Sequence, residues 1–232
     1  MPIPSHRQSI RAVIFDCDGV LVDSELLALQ VERRALAEVG LTYDLAEFQR
    51  RFLGLPYYDQ LRALDADAFH RTGLHLPANF AEGVREAMLK SFAERLQPVD
   101  GAVQFVNALS VPKAVASSSM MQSLEWKLVL TGLKKAFGEH VYSTERVTRG
   151  KPSPDLFLLA ARSLGAAAET TLVLEDSANG IRSAKAAGMI AAGFTGGGHC
   201  GPSHYEMLVA AGADMVFPSF SALGAFLTVR QT

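Results

Sequence analysis

Long apolar runs are missing from this sequence, and none approaches the ~20 residues that a membrane-spanning helix needs, so an embedded protein is not expected. Residues Met1–Arg11 mix Pro, His, Arg, Gln and Ser without the apolar stretch of a secretory signal, so export is not expected either. Charge of one sign is equally scarce. Lys and Arg total 22 against 24 Asp and Glu, a net charge of -2, which leaves no basic footprint for nucleic acid. Cysteine occurs only at Cys17 and Cys200, in segments with different jobs; a disulfide framework is not expected and a reducing cytoplasm fits. Repeats and low-complexity tracts are absent. What remains is 232 residues, 49% hydrophobic and 20% charged, enough for one sizeable core and a satellite domain.

Short runs of Val, Ile, Phe and Ala alternate with helical patterns, which predicts βα units and a doubly wound parallel sheet. Strands are expected at Ala12–Phe15, Ala114–Ala116, His140–Tyr142, Leu172–Leu174, Ala191–Phe194 and Met215–Phe217. Polar residues gather at their C-terminal ends, where open α/β sheets bind ligands. From Ser24 to Leu96 the alternation stops and the pattern is helical throughout, with Leu29, Leu36 and Val39 on one stripe and Met88, Phe92 and Arg95 later. The expected organisation is an α/β core over 1–23 and 97–232 with an inserted helical domain over 24–96. Asp100 is the expected N-cap where the core resumes.

The first strand runs into Asp16-Cys17-Asp18-Gly19, so it delivers two carboxylates, two apart, to one side of the chain. A carboxylate is a competent nucleophile towards phosphorus, and a second one beside it can act as acid and base. Cys17, between them, points away and reads as a small buried hydrophobe. Val115-Ala116-Ser117-Ser118-Ser119 brings hydroxyls and unpaired N–H groups to a helix start, a setting that favours a phosphate oxygen. Gly150-Lys151-Pro152-Ser153-Pro154-Asp155 offers a cation before a helix, and Leu174-Glu175-Asp176-Ser177 ends another apolar strand in an acidic pair whose hard oxygens suit Mg²⁺. Each feature has a commonplace reading as a cap, a turn or a surface lysine; their order and common placement at strand ends do not.

The strings Asp16-x-Asp18-Gly19-x-Leu21-x-Asp23-Ser24 and Glu175-Asp176-Ser177-x-x-Gly180-Ile181, with Ser117 and Lys151 between them, resemble the haloacid dehalogenase superfamily, in its β-phosphoglucomutase-like branch. The resemblance implies a Rossmann-like core with a helical cap and a phosphoaspartate mechanism. It further implies Asp16 as nucleophile, Asp18 as acid/base, and Ser117 with Lys151 as phosphate binders. Mg²⁺ would be held by Asp16, the Asp18 carbonyl and Asp176 with Glu175 in support, and the Lys151–Pro152 peptide bond would be cis.

A mutase of this branch would carry a basic residue after the cap glycine turn and a His early in the first cap helix. This sequence has Leu53-Gly54-Leu55-Pro56-Tyr57 at the first place and no His over Glu25–Leu45, so a phosphatase ranks above the alternative, a sugar phosphate mutase. Ser118, Glu25, Arg51 and Tyr57 are the further substrate-binding candidates, with Arg50, Tyr58 and Lys90 behind them. The expected partner is a small phosphorylated metabolite such as a sugar or sugar-acid phosphate, acted on by a monomer or homodimer. His199, Cys200 and His204 lack the paired cysteines of a structural zinc set, so Gly196–Pro202 is read as a mobile surface loop.

Overall fold

The computed structural model describes residues 10–52, 55 and 57–231. Six strands, β1 Ala12–Phe15, β2 Lys113–Ser117, β3 Val141–Ser143, β4 Thr171–Glu175, β5 Ile190–Phe194 and β6 Met215–Phe217, form one sheet in the order β3-β2-β1-β4-β5-β6. Every pairing is parallel. β1 is buried throughout, as a central strand covered on both faces must be, and this is why it reads as an unbroken apolar run. Phe15 is level with Val115 on one side and Leu174 on the other. The C-terminal ends of β1, β2 and β4 therefore open onto the same edge, at the point where the strand order reverses.

Alternation along β1 sends Ile14 and Phe15 to opposite faces. Ile14 packs with Ala114, Ala116, Leu156, Phe157, Val173 and Ile181, beneath helices α8 (Asp155–Ser163) and α9 (Ala178–Ala186). Phe15 lies in an aromatic layer with Phe105, Phe137 and Phe220 at centroid separations of 6.1, 5.8 and 6.5 Å. Those rings come from α5 (Ala102–Ala108), α7 (Lys134–Phe137) and α11 (Phe220–Gln231).

By contacts the chain divides into two compact units, residues 1–25 with 96–232, and Leu26–Arg95. The second unit holds most of α1 (Ser24–Glu38) and all of α2 (Leu45–Phe52), α3 (Tyr57–Thr72) and α4 (Phe80–Arg95). It has its own core of Leu29, Leu36, Leu41, Tyr43, Phe48, Phe52, Leu64, Ala68 and Phe80. Two local expectations are corrected. Glu25–Leu45 is not one helix: α1 stops at Glu38, where Gly40 takes φ 86° and the Leu41 N–H returns to the Leu36 carbonyl, a glycine C-terminal cap. Asp100 caps nothing, because Gly101, at φ 77°, occupies the cap of α5 without a side-chain bond. Leu53, Gly54 and Pro56 lie outside the described residues, as does the side chain of Tyr57.

Candidate active site

The turn after β1 is tied by its own backbone. Gly19 N–H donates to the Val22 carbonyl at 2.9 Å, and both Leu21 and Val22 donate to the Cys17 carbonyl. Gly19 sits at φ 74°, and a Cβ there would fall 2.2 Å from Asp176 Oδ2, so only glycine lets the β1 turn and the end of β4 approach so closely. Asp16 and Asp18 are thereby placed beside Glu175 and Asp176.

Lys151 joins the strands. Its Nζ donates to Asp16 Oδ1 at 2.5 Å, Glu175 Oε1 at 2.7 Å and the Ala116 carbonyl at 2.9 Å. It is carried by a turn whose Lys151–Pro152 peptide bond is cis, as the resemblance implies. Glu175 uses its other oxygen to accept from Ser177 N and Oγ, each at 2.9 Å, and so acts as a brace between the Lys151 turn and α9. A Cβ at Gly180 would lie 1.8 Å from Glu175 Cδ, which is why α9 needs glycine where it passes this carboxylate.

Asp18 sits in a separate polar nest. Ser24 Oγ donates to Oδ1 at 2.5 Å, Ser119 Oγ to Oδ2 at 2.7 Å, Ser117 Oγ more distantly at 3.5 Å, and the buried Lys127 ammonium is ion-paired with Oδ1. Lys127, on α6 (Met121–Leu130), also donates to Ser119 Oγ at 2.9 Å. Sequence reasoning missed Lys127 and the Ser24 contact, and it brought the Ser119 hydroxyl to the helix start without a role at Asp18. The available signal was position: Leu124, Lys127 and Leu128 share one helical face, and all three are buried.

Electrostatics separate the carboxylates. Burial pushes Asp16 up, Lys151 opposes it, and the neighbouring Glu175, Asp176 and Asp18 push it further; the net direction is well above the carboxylate range. Asp176 is raised likewise, by burial first and Glu175 next. Glu25 is raised to about 7 by burial and by Asp18 and Asp176. Asp18 goes the other way, because Lys127 and the Ser24 and Ser119 hydroxyls outweigh the burial penalty. Burial also works against the charge on Lys151, yet Asp16 and Glu175 hold it above the usual lysine value. Five carboxyls thus face two ammoniums, those of Lys127 and Lys151, and the surplus of hard, mutually repelling oxygens suits a small divalent cation.

With this geometry in hand, the comparisons are specific. Residues 10–188 match the haloacid dehalogenase-like hydrolase family. The chain belongs to that family. A phosphorylated carbohydrates phosphatase of Thermotoga maritima is 33% identical over 183 residues, 78% of this chain and 82% of the relative. The 6-phosphogluconate phosphatase of Escherichia coli is 29% identical over 181 residues, 78% and 80% of the two chains. A haloacid dehalogenase family hydrolase from Deinococcus radiodurans, solved with bound phosphate and sodium, superposes with a TM-score of 0.86 at 34% identity, covering 97% of each chain. This haloacid dehalogenase-type hydrolase is accordingly a phosphoric monoester hydrolase with a Rossmann-like core.

Within this hydrolase the structure brings Asp16, Asp18, Ser117, Lys151, Glu175 and Asp176 to one edge of the sheet, with Glu25 at its margin. Ser118 is exposed, and the hydroxyl that reaches Asp18 is that of Ser119. Arg51 is engaged within the helical unit: Nη2 meets Asp67 Oδ1 at 2.5 Å, Nη1 meets Glu47 Oε1 at 3.2 Å, and the guanidinium lies 4.9 Å from the Phe52 ring centroid. Arg50, Tyr58 and Lys90 are exposed on that unit.

The expectation of a mobile surface loop at Gly196–Pro202 is overturned. His199 is 4% exposed and its Nε2 lies 2.9 Å from Asp176 Oδ2, while His204 Nε2 is 2.6 Å from the Asp176 carbonyl. The glycines belong there for lack of space: a Cβ on Gly197 would stand 2.5 Å from the Gly19 carbonyl, and one on Gly196 2.5 Å from Phe194 Cζ. A glycine run suggests freedom by composition, but here it marks close packing against the β1 turn. Among the described residues no helix is long and apolar enough to cross a membrane.

Proposed function

We propose that this hydrolase removes phosphate from a small phosphorylated sugar or sugar acid through a phosphoaspartate on Asp16. The observation that carries the reading is the buried Asp16 carboxylate at the end of β1, ion-paired with Lys151 and flanked by Asp18 and Asp176. Asp16 attacks phosphorus, the ester P–O bond breaks, and Lys151 compensates charge on the phosphoryl oxygens. Ser117, at the tip of β2, donates to another of those oxygens. Asp18 takes the proton from the attacking water that splits the acyl phosphate. The position described, paired with Lys127, is its base form; delivering a proton to the leaving oxygen requires Asp18 first to take one up.

The surplus of hard oxygen donors fits Mg²⁺, which Asp16, Asp176 and the Asp18 carbonyl would hold, Glu175 bracing the set through Lys151 and Ser177. When bound, Mg²⁺ supplies charge neutralisation between two anions, the carboxylate nucleophile and the phosphate. The substrate class is supported by the printed activities of the relatives from Thermotoga maritima and Escherichia coli. Residues 24–96 would act as the cap that selects it, and within that unit the Arg51 charge is already engaged by Asp67 and Glu47. Two free thiols, Cys17 and Cys200, are consistent with work in a reducing cytoplasm.

The test is phosphate release from a panel of hexose phosphates, pentose phosphates, sugar-acid phosphates and nucleotides, with Mg²⁺ and after exhaustive chelation. Asp16→Asn, nearly isosteric but a poor nucleophile, is expected to lose turnover. Activity within tenfold of the parent would remove Asp16 from its role, and full activity after chelation would remove the metal.

A further inference from the structure

Outside the carboxylate cluster, three further metal-ligating side chains converge: one donor atom each from His199, Cys200 and His204, all within 4.8 Å of one another. The chemistry proposed for Asp16 does not use them. Cys200 Sγ is 3.6 Å from His199 Nε2. A tetrahedral zinc ion with Zn–S of ~2.3 Å and Zn–N of ~2.0 Å holds its sulfur and nitrogen ligands roughly 3.5 Å apart, so that edge of the polyhedron is already formed. The two imidazoles meet edge to face, with centroids 5.2 Å apart and planes at 88°.

The segment carrying them is fixed in place. Gly198 N–H donates to Asp23 Oδ1 at 2.8 Å, Cys200 N–H to the Gly197 carbonyl and His204 N–H to the Gly201 carbonyl, each at 3.0 Å. Gly197 is held against the β1 turn by the absence of a Cβ. Asp176 Oδ2 lies 2.9 Å from His199 Nε2, on the ligating side of that ring and close to the spacing of two donors on one ion. The Asp176 carbonyl is 2.6 Å from His204 Nε2 and leaves Nδ1 of that ring for the metal, the outer support that a metal-bound histidine ordinarily has. A thiolate with two imidazoles is a soft ligand set that favours zinc-like ions over Mg²⁺.

We propose that His199, Cys200 and His204 form a second metal site, for a thiophilic divalent cation such as Zn²⁺, whose occupation inhibits the hydrolase by drawing Asp176 away from Mg²⁺. On binding, the Cys200 S–H proton passes to solvent and a sulfur–metal bond replaces it; the fourth position falls to the Asp176 carboxylate or to water. The inhibitory effect rests on the proposed use of Asp176 for Mg²⁺, whereas the binding itself does not.

Co²⁺ serves as the spectroscopic probe on the purified full-length chain, and Zn²⁺ as the inhibitor at fixed Mg²⁺. The expected result is one equivalent of Co²⁺ giving a near-ultraviolet thiolate charge-transfer band that Zn²⁺ displaces. The band should disappear in Cys200→Ser, and Co²⁺ should bind at least tenfold more weakly to His204→Ala. Zn²⁺ inhibition, referred to each variant's own uninhibited rate, should need at least tenfold more Zn²⁺ in Cys200→Ser. No thiolate band, a band that survives Cys200→Ser, or unchanged zinc sensitivity in that variant would overturn the proposal. A parent that shows the band but releases no phosphate from any substrate would count against the phosphatase reading while supporting the metal site.

Discussion

Removing the Lys127 ammonium should cost this protein more than any surface charge does. Lys127 is 3% exposed, pairs with Asp18 Oδ1 and donates to Ser119 Oγ at 2.9 Å. In Lys127→Met the stem is replaced by one of similar volume, but Asp18 keeps its charge inside the protein with only the hydroxyls of Ser24, Ser119 and Ser117 for company. Orphaning one partner of a buried pair costs ~3–5 kcal/mol. For a chain of this length each 1 kcal/mol moves Tm by ~2–4 °C, so scanning calorimetry should show a fall of roughly 6–20 °C. The double variant Asp18→Asn with Lys127→Met, which leaves no buried charge at that place, should recover most of the loss. The pair holds Asp18 below the ordinary carboxylate range, so its contribution is complete above the unfolded-state value of about 3.9 and is lost as pH falls through the folded-state value. The gap between parent and Lys127→Met should therefore narrow on strong acidification. A Lys127→Met protein melting within about 2 °C of the parent at pH 7, or a double variant no better than the single, would refute the reasoning.

Gly180→Ala would place a methyl 1.8 Å from Glu175 Cδ, and since both Glu175 oxygens are committed, the brace on Lys151 must move; kcat/KM should drop at least about tenfold, with ~1–3 kcal/mol of stability, and parental values for both would argue against the brace. Glu32, which accepts from Gln60 Nε2 at 2.9 Å, is raised to about 7 by burial. Its folded-state pKa lies above the unfolded value near 4.3, so stability declines as pH rises from that value through about 7, by on the order of 1–3 kcal/mol. Melting curves of Glu32→Gln should show a flatter pH dependence over that window, and a slope equal to the parent's would contradict the assignment. With hexose 1-phosphates, ³¹P NMR should show free phosphate and not an isomeric hexose phosphate, with or without a trace of sugar bisphosphate; faster conversion to an isomer would make the enzyme a mutase.

The central strand was legible because it is apolar on both faces: Ala12–Phe15 is bounded in the structure as in the sequence reading, and so is the edge strand Met215–Phe217, from its short apolar run alone. Asp16, Glu175 and Asp176 were legible because they stand at the ends of such runs, and Lys151 because it lies between Gly150 and Pro152 shortly before a helix. Lys127 was not, since a single lysine among the apolar positions of a helix reads as a solvated side chain and its partner is 109 residues away. The histidines of the glycine loop were misread for a different reason. Gly197 is dictated by a neighbour, the Gly19 carbonyl, that lies far off in sequence, and composition records the missing side chain without recording what fills its space. Arg51 shows the converse, since an arginine beside aromatics suggests a ligand in the sequence, which does not record its pairing with Asp67.

The two ends of the interval between Asp23 and Gln97 are held side by side. Asp23 N–H donates to the Gln97 carbonyl, Val99 N–H to the Leu21 carbonyl, and Val22 bridges Pro98 in antiparallel fashion. Everything between is a closed excursion that leaves the α/β unit and returns to the same point. Loop-closure cost grows only as the logarithm of length, about 0.6 kcal/mol per doubling, so the α/β unit is nearly blind to how long that excursion is. It can therefore be exchanged wholesale, with new chain spliced between two fixed posts. The part of the molecule proposed to choose the substrate is in this sense a replaceable attachment, and new specificities can be acquired without renegotiating the positions of Asp16, Lys151 and Asp176.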